Sequence, residues 1–218
     1  MLRATVTGAV DPETGYLINI QIVDRAIAQF VAEQIATLES LGLSYLDIAI
    51  RSPVLSKYLP SPVRLVKMEL VTSPFLSFLV EESMPMSVQV TQEFEFSAAH
   101  RLHCDSMSEE ENRDCFGKCN NPAGHGHNYR VAVTLEHANK AEAEFSMRTF
   151  EQTVKEYVIE PLDHKHLNVD VIEFATLNPS VENIAMVIWK WVKTSPLGTQ
   201  LKNIRVYETP KTWADYRE

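Results

Sequence analysis

Between Val88 and His100 the side chains alternate in character along the chain. Val88, Val90, Phe94, Phe96 and Ala98 fall in phase with His100, while Glu93, Glu95 and Ser97 take the opposite phase. A period of two predicts a half-buried β-strand, with His100 on its packed side. Downstream, His125 and His127 are separated by one residue, so on a second strand both imidazoles face the same way. Three imidazoles that can meet at one ion, with a fourth position open, match the donor set of a catalytic zinc site. A closed four-ligand site built from Cys115, Cys119, His125 and His127 is the alternative, and it leaves His100 without a role.

Composition narrows the class. A chain of 218 residues is long enough to bury a core and to hold two small domains. No apolar run approaches membrane-spanning length, and the N-terminus lacks the basic-then-apolar pattern of a secretion signal. A soluble cytoplasmic protein is expected, with no membrane partner. The three cysteines, Cys104, Cys115 and Cys119, are too few and too crowded for a disulfide framework. A formal charge of −9 disfavours nucleic acid as a partner. Any anion site must be local, and Arg101, Lys118 and Arg130 are the candidate cations beside the histidine motifs.

The two halves of the chain share a partial internal repeat. Leu2 to Ile20 reads as strand, Pro-x-x-Gly turn, strand, followed by apolar residues at helical spacing: Ile20, Val23, Ile27, Phe30, Val31 and Ile35. Met147, Phe150, Val154, Tyr157, Val158 and Leu162 repeat that figure 127 positions later. Val66 to Phe78 likewise shadows Ile204 to Tyr216 at an offset of 138. Residues 1–82 are therefore expected to form one unit and residues 86–218 a second, with Ser83 to Ser87 as linker.

Five segments carry a family resemblance, in order from about Gln89 to the C-terminus. They are Phe-Ser-Ala-Ala-His-Arg-Leu ending at Leu102, Phe116 to Tyr129, Pro-Leu-Asp-His-Lys-His-Leu ending at Leu167, Val-Glu-Asn-Ile-Ala from Val181, and Val-Tyr-Glu-Thr-Pro from Val206. Together they resemble the 6-pyruvoyl-tetrahydropterin synthase family. The resemblance implies an α+β protein of two tandem tunnelling-fold units, each an antiparallel sheet with helices packed on one face, closing in a homo-oligomer as a β-barrel. Such closure removes exposed sheet edges. It implies conversion of 7,8-dihydroneopterin triphosphate to 6-pyruvoyl-tetrahydropterin with release of triphosphate, a carbon–oxygen lyase reaction. One Zn2+ per chain is implied, with Mg2+ as helper and sites shared between neighbouring subunits. Two alternatives stay open. One is 6-carboxytetrahydropterin synthase of the deazapurine pathway, whose cysteine usually stands three residues before His-Gly-His; the five here favour the pyruvoyl branch. The other is a non-catalytic zinc- and pterin-binding protein.

Residue roles follow. His100, His125 and His127 are the expected metal ligands. Cys119 is the candidate general base, because a nearby cation pulls a thiol down from its reference pKa of about 8.5. The resemblance implies that Asp163 and His164 form a relay with it. Adjacent side chains seldom bond one another, so this pair is expected to act on a third group. Glu208 is the implied pterin anchor, since a carboxylate accepts two parallel hydrogen bonds from an amino group and a ring N–H. Ser180 and Glu182 are implied substrate contacts. Where the family usually has two threonines, this chain has Ser180 and Val181, so one hydroxyl contact is lost. The first half has no histidine, carries Leu70 where the second has Glu208, and aligns Ala36 and Thr37 with Asp163 and His164. It is expected to be a non-catalytic unit, in which the stretch from Val6 to Gly15 resembles the family's second hairpin.

Overall fold

The computed structural model describes residues 1–35, 44–138 and 145–218, except for the side chains of Ile35 and Ser52. Ala36 and Thr37 lie outside the described residues. The chain divides into two compact units. The first is Met1–Thr91 together with the segment that begins at Glu136, and the second is Gln92–Leu135 with Phe145–Glu218.

In the first unit, β1 (Leu2–Thr7), β2 (Arg64–Ser73) and β3 (Leu76–Glu81) form antiparallel pairs, with Leu2 opposite Leu70 and Met68 opposite Val80. Helix α1 (Ile20–Phe30) runs on into a π-helical turn, Val31–Ile35. Its start is set by Asn19, whose side chain accepts the Gln21 N–H at 3.0 Å. Ala26 and Phe30 of α1 pack with Leu55, Leu59, Leu65 and Met68, so the helical segments cover one face of this sheet. A short helix α2 (Tyr45–Ile50), closed by a capping box from Ser44 and Asp47, precedes the 3-10 segment Ser52–Tyr58.

The second strand expected before Ile20 does not form. The Asp11 carboxylate instead takes the N–H groups of Glu13 and Thr14 and the Thr14 hydroxyl, and Gly15 turns the chain at φ +71°. That turn delivers the chain to the Asn19 cap rather than to a hairpin partner.

The second unit holds most of β4 (Ser87–His100) and of β5 (His125–Ala138), followed in sheet order by β7 (Leu201–Thr209) and β8 (Thr212–Tyr216). Val131 pairs with Val206, and Val206 with Ala214, in antiparallel ladders. A two-residue strand, β6 (Lys165–His166), lies parallel to the end of β4, with Ala99 opposite His166. The expected alternation in β4 holds at its ends, where Val88, Val90, Phe96, Ala98 and His100 are buried and Glu95 and Ser97 exposed; in between, Glu93 and Phe94 are both half-buried. The segment from Ser83 to Ser87 is a turn, closed by hydrogen bonds from Met84 N–H to Glu81 and from Ser87 N–H to Met84.

The longer helices of this unit are α3 (Glu109–Phe116), α4 (Met147–Val154) and α5 (Val181–Thr194). Helix α4 continues through a π-helical turn, Lys155–Ile159, into Glu160–Leu162, so the apolar series becomes one buried stripe of Phe150, Val154, Val158 and Leu162. Helix α5 packs on β7 and β8 and buries Ile184, Ile188 and Trp189. The architecture is α+β, an antiparallel sheet with helices, as the sequence predicts; parallel β6 is the addition. Phe150 has no exposed surface, so Phe150→Ala is expected to cost about 3–5 kcal/mol in chemical denaturation. A loss below 1 kcal/mol would show that this position is not close-packed.

Candidate metal centre and active site

The end of β4 and the start of β5 carry the three histidines. His125 and His127 sit one residue apart on β5, and their ligand atoms lie with that of His100 within 4.8 Å of one another. His100 Nε2 and His125 Nε2 are 3.2 Å apart. His100 is fully buried, and its Nδ1 lies 2.8 Å from the carbonyl of Pro179. A carbonyl only accepts, so Nδ1 carries the hydrogen and Nε2 presents its lone pair to the cluster. Burial is the main cause that lowers the pKa of His100 to about 4, and the other histidines act in the same sense; His127 is lowered too, chiefly by burial. At neutral pH His100 is an uncharged imidazole. His125 Nδ1 and His127 Nε2 are buried without a hydrogen-bond partner. Converging imidazoles, two of them with an orphaned nitrogen, fit a divalent metal. Neither Cys115 nor Cys119 belongs to this group, so the four-ligand cysteine site is not what the fold builds.

Gly124 makes the approach of β5 possible. At φ +71° it turns the loop into the strand, and a Cβ here would stand 2.7 Å from His166 Nε2 and 3.0 Å from the His100 carbonyl. Cys119 lies in a 3-10 turn, Gly117–Asn120, tied back by Leu102 N–H donating to its carbonyl at 2.8 Å. Burial, and then the Glu208 carboxylate, push the Cys119 thiol up. The protein groups alone thus work against the lowering expected from sequence. Any lowering has to come from a bound cation.

Glu208 on β7 stands at the same centre, with Oε1 3.4 Å from His100 Nε2 and 3.5 Å from His127 Nε2. At these lengths the contacts are electrostatic rather than hydrogen bonds, consistent with the unpartnered His127 nitrogen. Tyr129, fully buried, brings its hydroxyl to 3.3 Å from His100 Nδ1. Sequence reasoning passed over it, although it falls in phase with His125 and His127.

Asp163 and His164 are bonded to each other, Nδ1 to Oδ2 at 2.8 Å, contrary to the expectation for neighbours. His164 adopts φ +58°, a left-handed conformation that turns its ring back onto Asp163. Asp163 also accepts the Ser97 N–H at 2.8 Å, and that bond, foremost, lowers its pKa. Among the described residues no hydrogen bond or ion pair joins Cys119 to either. His164, with 84% of its side chain exposed, instead faces an open cleft of about 650 Å³, lined by His127, Asn128, His164, Lys165, His166 and Asp170 among others.

The remaining candidates separate. Ser180 is the N-cap of α5, its hydroxyl accepting the Asn183 N–H at 3.4 Å, and Glu182 is exposed in the first turn. Val181 is buried, so the lost threonine hydroxyl is replaced by core packing. The segment's contribution to the metal centre is the Pro179 carbonyl, which no side-chain motif reveals. Of the candidate cations, Arg130 is paired with Glu93 at 2.9 Å and covers the Tyr207 ring, and Arg101 turns to the Asn120 carbonyl and His103. Lys118 is exposed. Lys165, not selected from sequence, is the cation that lines the cleft.

Residues 89–218 match the family model described as 6-pyruvoyl tetrahydropterin synthase. The chain belongs to that family. It is accordingly an enzyme of the carbon–oxygen lyase kind. It is 41% identical over 133 residues to the 6-pyruvoyl tetrahydrobiopterin synthase of Homo sapiens, covering 59% of this chain and 90% of that protein. The Dictyostelium discoideum protein of the same name is 36% identical over 136 residues, covering 62% and 98%. Among solved structures, the 6-pyruvoyl tetrahydropterin synthase of Caenorhabditis elegans superposes with a TM-score of 0.57 at 32% identity, covering 61% of this chain and 96% of that one. All the candidate site residues fall inside the matched region. Among the described residues no helix is long and apolar enough to cross a membrane.

Proposed function

We propose that this protein is a zinc-dependent 6-pyruvoyl-tetrahydropterin synthase, acting in the cytoplasm on 7,8-dihydroneopterin triphosphate, with Mg2+ assisting. The observation that carries the reading is the convergence of three imidazoles, a thiol and a carboxylate within the family-matched unit. His100, His125 and His127 would hold one zinc per chain. When bound, the ion would supply Lewis acidity to the substrate's side-chain hydroxyls. Cys119 takes the proton from the carbon beside them. Asp163 orients the His164 imidazole, and that pair moves the proton onward. Glu208 holds the amino edge of the pterin, and the first turn of α5, with Ser180 and Glu182, borders it. Lys165 offers the cleft a positive charge for the triphosphate.

Within one chain Cys119 does not meet Asp163 or His164 among the described residues. This supports a homo-oligomer in which neighbouring subunits complete each site. Two features support a tandem origin of the units. Helices α1 and α4 start 127 positions apart, each with a side-chain cap at the residue before, Asn19 and Ser146. At the offsets seen in sequence, the Leu2–Leu70 pair becomes Tyr129 and Glu208, the residues that continue the β5–β7 register beyond Arg130 and Tyr207. We assign residues 1–82 to a unit that builds the barrel without catalysis and 86–218 to the catalytic one.

The deciding experiment is incubation of the full chain with dihydroneopterin triphosphate and Mg2+, with mass spectrometry of the products. 6-Pyruvoyl-tetrahydropterin with inorganic triphosphate is expected. A 6-carboxy product would move the protein to the deazapurine branch, and unchanged substrate would leave it a binding protein.

A further inference from the structure

We propose that the imidazole of His103 positions Cys119, by supplying the acceptor that holds the thiol-bearing turn against the segment leaving β4. This inference rests on the reading of Cys119 as the base and adds the residue that fixes its place. The segment Arg101–His103 follows His100 directly, and its backbone is anchored on both sides. Arg101 exchanges both backbone groups with Asn168: its N–H donates to Asn168 Oδ1 at 2.8 Å, and its carbonyl accepts from Asn168 Nδ2 at 3.0 Å. The His103 N–H donates to Asn178 Oδ1 at 3.2 Å, one residue before the Pro179 carbonyl that faces His100. These bonds make the segment a frame beside the imidazole cluster, and none of them uses the His103 ring.

The turn that carries Cys119 is tied to this frame. Its first point is the Leu102 N–H, which donates to the Cys119 carbonyl at 2.8 Å. Asn120, the next residue, is buried and spends both amide hydrogens here, one on the Leu102 carbonyl at 2.8 Å and one on His103 Nδ1 at 3.0 Å. A carbonyl only accepts, so the atom facing it is the amide nitrogen and not the oxygen. Arg101 adds two more bonds, Nε to the Asn120 carbonyl and Nη2 to the same His103 nitrogen, each at 3.2 Å.

Two donors therefore converge on one lone pair. Nδ1 of His103 is the bare nitrogen, and the ring hydrogen sits on Nε2, 3.5 Å from the Asp105 carboxylate. The ring satisfies the Asn120 amide and one end of the Arg101 guanidinium together. Without that acceptor a buried amide hydrogen loses its partner, and the residue beside Cys119 gains a reason to move. The consequence reaches the chemistry, because a shift of about 1 Å at a reacting group costs up to about 10²-fold in rate.

The test compares His103→Phe and His103→Leu, which keep bulk but offer no acceptor, with His103→Asn, whose Oδ1 falls where Nδ1 stood. Alkylation of the full chain by iodoacetamide is followed peptide by peptide in a mass spectrometer. Cys119 should react several-fold faster in the acceptor-free variants than in the parent, while Cys115, exposed on α3, keeps its rate. With dihydroneopterin triphosphate and Mg2+, kcat should fall by about 10-fold or more, with KM and bound Zn2+ unchanged. His103→Asn should restore both the alkylation rate and kcat. Because His103 acts through Cys119, His103→Phe should slow Cys119→Ala no further. Circular dichroism identical to the parent identifies which acceptor-free variant folds, and either one suffices. Parental alkylation and kcat in that variant would overturn the proposal, as would a loss that adds in full to that of Cys119→Ala or that His103→Asn does not repair. Parental turnover in Cys119→Ala would instead remove the base reading, and the alkylation rates alone would then decide whether His103 holds the turn.

Discussion

Cys119→Ala should lower turnover by roughly 10²–10⁴-fold, the range removed with a general base, while the protein keeps its metal and its affinity for pterin. The thiol lies outside the imidazole cluster, so its loss removes no ligand. It is half-buried in a short 3-10 turn whose backbone is anchored through the Leu102 N–H, so alanine should leave that turn in place. Burial and the Glu208 carboxylate hold the thiol in its protonated form. The base is therefore expected to work only in the loaded site, and single-turnover rates should fall as steeply as steady-state kcat. If the variant loses its metal, Cys119 is a ligand; if turnover stays near that of the parent, the base lies elsewhere.

The larger effect is expected from His125→Ala combined with His127→Ala. This variant removes two of three donors from a centre in which the third, His100, is locked by its bond to Pro179 and cannot recruit a replacement. Metal analysis should fall from one zinc per chain to none, and turnover should become undetectable. Residues 1–82 offer no reserve site, because no histidine precedes His100. Two zinc ions per parent chain, or full retention in the double variant, would contradict the assignment.

Much of this was legible in the sequence where a single periodicity governs the outcome. The alternation of β4 survives because one face is buried at both ends of the strand, and two strand residues one apart must share a side. The apolar stripe from Phe150 to Leu162 was equally readable, since a π-helical turn interrupts hydrogen bonding without breaking the buried face. The hairpin predicted before Ile20 failed because Asp11 and Asn19 satisfy backbone groups locally, which a hydrophobic pattern does not register. The bond between Asp163 and His164 escaped because it depends on a left-handed backbone that no composition rule assigns to histidine. The Pro179 carbonyl on His100 is a tertiary contact between residues 79 positions apart, and a carbonyl carries no side-chain signature. Arg130 shows the converse: a cation near the motifs is neutralised by Glu93 on a neighbouring strand, while Lys165 keeps its place in the cleft.

The backbone at His164 has a consequence for how this protein could change over generations. A side chain with a Cβ in the left-handed region is strained by roughly 1–3 kcal/mol, and glycine or asparagine at that position would relax it. The backbone N–H of His164, which donates to the Ser97 carbonyl, would survive either replacement. Drift under selection for stability alone would therefore tend to erase this imidazole early and with little damage to the fold. In the proposed relay, this strained, exposed histidine is one whose replacement would cost the chain little and the reaction much.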